Sequence, residues 1–216
     1  MSLTAPLLPA AQALAADAAE IIVAYASGPA DIPQAWEGLQ LPHLQALLAS
    51  LSPTTVVQGD EMDFSPPHER VLARAMQLPD TPGLIPWAAV AAADTVQACA
   101  FITPCHWHIT PDQVHQTDPA SAPLGEDESR QLLALIAPWF SDDGITLEYL
   151  RPDTWLARGE AFRDLATASM DRAIGRDVRP WMPDPIQGAV IQRLQTELQM
   201  LLYTNVFNDQ RSHRGL

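Results

Sequence analysis

Lysine is missing from this chain altogether: all 12 basic residues are arginine, set against 26 acidic ones for a formal net charge of −14. Without lysine there is no Walker-type phosphate loop, and neither GxGxxG nor GxxxxGK[ST] occurs. A GxSxG nucleophile elbow is absent as well. The acidic excess repels a phosphate backbone, and no basic stripe with interleaved aromatics offsets it, so DNA and RNA are poor partners. The arginines that remain suit specific ion pairs, because a guanidinium presents a rigid fork of donors.

Cysteine is scarce too. Cys99 and Cys105 on one straight strand would stand roughly 20 Å apart at about 3.3 Å per residue, whereas a disulfide needs Cα atoms within about 7 Å. Two free thiols and no export signal predict a cytoplasmic protein. The apolar start LTAPLLPAAQALAADAA lacks a basic n-region and is interrupted by Pro6 and Pro9, unlike a secretory leader, and Met1-Ser2-Leu3 reads in part as a cloning remnant. No segment reaches the roughly 18 uninterrupted apolar residues of a membrane span. At 216 residues the chain is long enough to bury a core without disulfides.

What is present divides near residue 93. Residues 1–93 read as mainly helical: an alanine-rich helix over 10–25, a short one from Pro42 to Leu51, and PPHERVLARAMQL. In the last, Pro66 and Pro67 suit a first turn and Val71, Leu72, Ala75 and Leu78 form an apolar stripe. IPWAAVAAAD adds a turn or two of helix, and the 20 prolines fall mostly between these segments as punctuation.

Residues 94–216 mix strands with helices. VQACAFIT is rich in β-formers and is followed by Pro104, then HWHI, with DQVHQT returning as a partner strand. GEDESRQLLALIAPWF has an acidic first turn and an apolar face of Leu132, Leu133, Ile136 and Phe140, and Asp143-Gly144 closes it. ITLEYL-RPD-TWLAR reads as a hairpin around a Pro-Asp turn. From Ile186 to about Asn205, Val190, Ile191, Leu194, Leu198, Leu201 and Leu202 share one helical face. Continued further, that wheel sets Asn205 and Asn208 at the face's centre and Glu197 at its margin, as caps or locks of the helix end. The fold class that follows is α+β: a helical N-terminal part on a small antiparallel sheet covered by two later amphipathic helices, possible as one continuous domain.

Five strings from residue 85 onward, LIPWAAV, TPCHWHIT, GRDVRPWMP, TELQMLLY and NVFNDQRSHRGL, together resemble the proteobacterial RpfE-like family, the regulation-of-pathogenicity-factors type. Some of its members carry the label of predicted cofactor-independent phosphoglycerate mutase. The resemblance implies a regulatory protein, and a chain continuing beyond the final Arg-Gly-Leu. The mutase label would require a serine nucleophile and two metal ions held by many Asp and His residues, since a dianionic phosphoryl group must be neutralised during transfer. No such ligand strings occur, and His213-Arg214-Gly215 reverses the Arg-His-Gly order of the cofactor-dependent mutases.

Three sites can be written from spacing. On a strand, His106 and His108 would share one face, with Cys105 and Trp107 opposite, so two histidines could grip a metal if His115 on the neighbouring strand supplied a third donor. The family pattern matches this stretch at Pro104 and His106 but not at the second histidine. Arg172, Arg176 and Arg179 with Asp177 can be read as an anion pocket, or Arg176 and Asp177 as ion pairs bracing the loop before the long helix. A phosphate-ester enzyme would gather His106, Arg176, Asp177, Glu197 and Asn205 into one pocket. Cys105 and His106 on opposite faces cannot serve as nucleophile and base without a bulge, and Asp142-Asp143 and Glu126-Asp127 suit a helix end and a helix start.

Three functions therefore stand at this point. The first is a non-catalytic regulatory protein that uses no cofactor and works through protein contacts. The second is a phosphotransfer or phosphate-ester enzyme, and the third a zinc protein centred on His106 and His108. Convergence in space separates them: an enzyme needs its groups around one concave pocket, and a binding protein needs an exposed apolar patch.

Overall fold

A computed structural model describes residues 22, 40–51 and 56–215. The alanine-rich helix expected over 10–25 lies outside these residues, apart from Ile22. Among the described residues the architecture is α+β, as the alternation of strand and helix signals predicts.

The central sheet has three antiparallel strands in the order β1 (Cys99–Ile102), β5 (Thr154–Arg158), β4 (Thr146–Arg151). Its register sets Ile102 and Tyr149 on either side of Trp155. Thr154, Trp155, Leu156 and Ala157 of the middle strand are all buried, so both faces of β5 are covered. Trp155 and Ala157 alternate onto one face, where they meet Leu132, Ile136 and Phe140 of α4 (Glu126–Ser141) and Leu194 of α6 (Ala189–Tyr203). The helix α4 forms where its three acidic residues, Glu126, Asp127 and Glu128, meet the positive end of the helix dipole, and Glu128 Oε2 accepts the Gly125 N–H at 3.1 Å. Its buried positions, Ser129, Leu132, Ile136 and Phe140, recur at spacings of three or four residues, and Arg130 on its flank lies over the Tyr149 ring of β4 at 3.8 Å.

A second, two-stranded sheet pairs β2 (Trp107–Ile109) with β3 (Val114–Gln116). The turn between them is closed by the Thr110 N–H bonding to the Gln113 carbonyl at 2.9 Å. β3 is also bonded along its other edge, with Gln116 N–H to Arg176 O at 3.1 Å, Gly175 N–H to Gln116 O at 2.8 Å and Val178 N–H to Val114 O at 2.8 Å.

The earlier helices are α1 (Pro42–Ser50), α2 (Pro67–Ala75) and α3 (Trp87–Ala92). The stripe expected on α2 is corrected: Leu72 and Ala75 are exposed, and Ala73 is the buried residue. The helix turns its polar first turn inward instead, because His68, Glu69 and Arg70 all find partners on neighbouring segments. Contacts cross residue 93 freely. Ser169 N–H bonds to Phe64 O at 2.9 Å, Thr167 N–H to Gly83 O at 3.0 Å, and the Phe64 and Trp181 rings lie 6.3 Å apart.

The last long helix is also shorter than its apolar period suggests. α6 stops at Tyr203, and α7 (Val206–His213) begins after a break at Thr204, following the short α5 (Met170–Ala173) and α6 in chain order. No helix among the described residues is long and apolar enough to cross a membrane.

Candidate functional site

The expected metal-binding strand is interrupted by its own proline. Pro104 separates β1 from β2, which belong to different sheets, and β2 begins only at Trp107. His106 thus precedes the strand, its carbonyl accepting from Thr117 N–H at 3.0 Å and Thr117 Oγ1 at 2.8 Å. That backbone bond continues the β2–β3 register by one pair, with His106 opposite Thr117. His108 and His115 are direct cross-strand neighbours, but His106, His108 and His115 do not bring three donor atoms to ligating distance.

The arginine group is taken up locally. Arg179 holds Asp177 through Nε at 2.7 Å, and this bond keeps the Asp177 carboxyl below the usual carboxylate range while raising the Arg179 guanidinium. Arg176 reaches Glu61 at 3.7 Å, and Arg172 donates to the Asp60 carbonyl at 3.0 Å. These contacts fit braces between the segments around residues 60 and 175. The pairing differs from the one spacing suggests, since Asp177 takes Arg179 rather than Arg176.

The five residues of the enzyme reading fall into two groups: His106, Arg176 and Asp177 lie on segments bonded to β3 and its end, whereas Glu197 sits on α6 and Asn205 at the α6–α7 junction. Glu197 accepts from Arg193, which also reaches Asp143 at 2.5 Å. Asn205 accepts the Phe207 N–H at 2.9 Å as the N-cap of α7, and Asn208 Nδ2 donates to Leu202 O at 2.9 Å. Both asparagines therefore lock a helix junction. Among the described residues, no hydrogen bond or ion pair joins any two of His106, Arg176, Asp177, Glu197 and Asn205.

A cleft of about 630 Å³ opens beside the break at Pro104, lined among others by Thr103, Asp118, Pro123, Arg151 and Met170. None of those five candidates lines it. Its ionic groups serve local turns: Asp118 accepts from Ala120 N–H at 2.9 Å, and Arg151 pairs with Asp153 at 2.7 Å.

Two features escape a reading by spacing. The first is a polar junction where His68 Nε2 lies 3.1 Å from Asp171 Oδ2 and Ser169 Oγ donates to Glu69 Oε1. The second is an exposed apolar corner between α6 and α7, where Met200, Tyr203 and Val206 are 71%, 83% and 63% exposed. The apolar period of α6 names only its inward face, and its outward face at Met200 and Tyr203 was the available signal for the corner. For the junction the available signal was His-Glu directly after Pro-Pro, at a helix start.

Comparison with known proteins returned no match: no family model, no curated protein and no solved structure aligns significantly with this chain.

Proposed function

We propose that this chain is a non-catalytic regulatory protein of the RpfE-like type that acts by binding another protein through the α6–α7 corner. The observation that carries the reading is the exposure of Met200, Tyr203 and Val206 within seven residues, the first two on α6 and the third at the start of α7, while Leu194 of α6 is buried. Large apolar side chains grouped on a surface mark a contact site, and tyrosine is enriched among the residues that dominate such contacts. These residues lie in TELQMLLY and NVFNDQRSHRGL, two of the strings that bear the family resemblance.

The partner's chemistry follows from charge. A chain of net charge −14 associates fastest with a basic surface, so the fitting partner is a protein with an apolar centre rimmed by lysine and arginine. The reading is also supported by what several candidate side chains do, since Asp177, Glu197 and Asn205 are engaged in ion pairs and a helix cap.

A photo-crosslinking residue placed at Tyr203, compared with one at exposed Val56, tests the assignment in cells. The expected result is a discrete adduct with one protein from position 203, lost when Met200→Asp is added and absent from position 56. Identical adducts from both positions, or no adduct from 203, would overturn it.

A further inference from the structure

We propose that His68, Glu69 and Asp171 form a binding site for a divalent cation of the zinc type, which clamps the start of α2 to the start of α5. Among the described residues these three supply ligand atoms that all lie within 4.8 Å of one another. They are chemically suited to the task, because one imidazole and two carboxylates match borderline cations such as zinc or manganese better than calcium, which takes six or more oxygens.

The geometry is close to what a metal would require. Zinc bonds of about 2.0–2.1 Å arranged tetrahedrally set ligand atoms about 3.3 Å apart. His68 Nε2 and Asp171 Oδ2, at 3.1 Å, already stand near one edge of that tetrahedron. Glu69 is one residue from His68 in the same first turn, and its carboxylate is steadied by Ser169 Oγ, the N-cap of α5. A ligand held from behind by a hydrogen bond is the usual arrangement around a bound metal.

The scaffold is set before any ion arrives. Two backbone bonds, Ser169 N–H to Phe64 O and Thr167 N–H to Gly83 O, fix the two segments beside each other, although Glu69 and Ser169 are 100 residues apart in sequence. Pro66 and Pro67 fix the backbone entering α2. Less conformational freedom is then lost on binding.

Two carboxylates and an imidazole are a donor set for a cation, with no anion-binding group among the three. Of the neighbouring arginines in sequence, Arg70 bonds to the carbonyls of Asp80 and Gln58, and Arg172 Nη2 bonds to the Asp60 carbonyl. With side-chain exposures of 22% for His68 and 41% for Asp171, the site opens to solvent, which leaves room for a water as fourth ligand.

The test uses the whole chain purified without a histidine tag or nickel, stripped with chelator and titrated with zinc, manganese, magnesium and calcium salts in separate calorimetric runs. The expected result is one zinc ion per chain and a higher melting temperature with zinc. Asp171→Asn and His68→Gln should each weaken binding at least tenfold, while the double variant His106→Gln and His108→Gln leaves it unchanged. Asp171→Asn keeps the shape and the hydrogen bond to His68, so it remains informative if His68→Gln fails to fold. Cobalt loaded in place of zinc should give the intense visible bands of a tetrahedral site, and these should be lost in Asp171→Asn. A stoichiometry near zero, binding that survives both substitutions, or binding lost only with His106 and His108, would overturn the proposal.

Discussion

The indole Nε1 of Trp155 donates to the hydroxyl of Ser129 at 2.9 Å, with both residues buried at the interface between the central strand and α4. This bond ties the middle of the sheet to the helix that covers it. It also explains a serine on an otherwise apolar face: a buried indole N–H without a partner is costly.

Removing the hydroxyl should therefore hurt more than its size suggests. Ser129→Ala is expected to lower unfolding free energy by about 1–3 kcal/mol, the cost of stranding one buried donor. In a Trp155→Phe background no donor is left to strand, so the same change should cost much less. Urea titrations of the four proteins in that cycle give the answer. Equal costs of Ser129→Ala in both backgrounds would show that the bond is not the source.

A second prediction concerns the end of the chain. Glu128 receives Arg211 at 2.8 Å and also Arg214, so α7 is fastened to the first turn of α4, while Arg211 reaches the Ala122 carbonyl at 2.9 Å. The Arg214 contact and the Gly125 N–H, with Arg211 adding its charge, hold the Glu128 carboxyl below the usual carboxylate range. A lowered folded-state pKa means the contribution is complete above the ordinary value of about 4.3 and lost as pH falls through the folded value. Glu128→Gln should melt below the wild type at pH 7, and the gap should close as the pH is taken below about 4. Arg211→Met should cost more than Arg214→Met, since the Arg211 side chain is only 11% exposed and that of Arg214 is 53%. A gap that persists unchanged to pH 2 would sink this account.

How far such features can be read from sequence depends on how local their causes are. The α4 helix and the β4–β5 hairpin are legible because period, acidic first turn and Pro-Asp turn lie within each segment. The facing of α2 is not, because it is decided by Ala73 and by polar contacts to segments far along the chain. Pro104 was a visible signal, yet that it would separate two sheets depended on where residues 174–178 bond to β3. The polar junction at His68 joins residues about a hundred positions apart, and no spacing rule reaches that far. Projecting the α6 wheel through Asn205 failed because the break at Thr204 restarts the helix, although Asn-Val-Phe is a readable cap.

That cap supports a third prediction. The Asn205 side chain satisfies one of the first free N–H groups of α7, that of Phe207, and Asn208 returns a bond to the last turn of α6, so the pair braces the corner. Asn205→Ala should cost about 0.5–2 kcal/mol, whereas Asn205→Asp, which still accepts a hydrogen bond, should cost little. Amide hydrogen exchange across 206–213 is the measurement. Faster exchange there in the alanine variant only, with α4 unaffected, is the expected pattern. Equal protection in both variants would mean that Asn205 does not hold the helix.

Gly83 is one point where the segment before residue 93 meets the later loop. Its N–H bonds to Ser65 Oγ at 3.0 Å, its carbonyl accepts from Thr167, and its φ of +79° is one that side chains other than glycine rarely adopt. A Cβ placed here would stand 3.0 Å from the Phe64 ring and 3.1 Å from Ala166. Gly83→Ala should then combine a backbone penalty of about 1–2 kcal/mol with crowding of Phe64, whose ring packs on Trp181. The expected outcome is a clear loss of stability that Phe64→Leu partly restores by giving the new methyl room. Tryptophan fluorescence during denaturant unfolding reads the change, and a Gly83→Ala protein as stable as wild type would show that this loop can shift without cost.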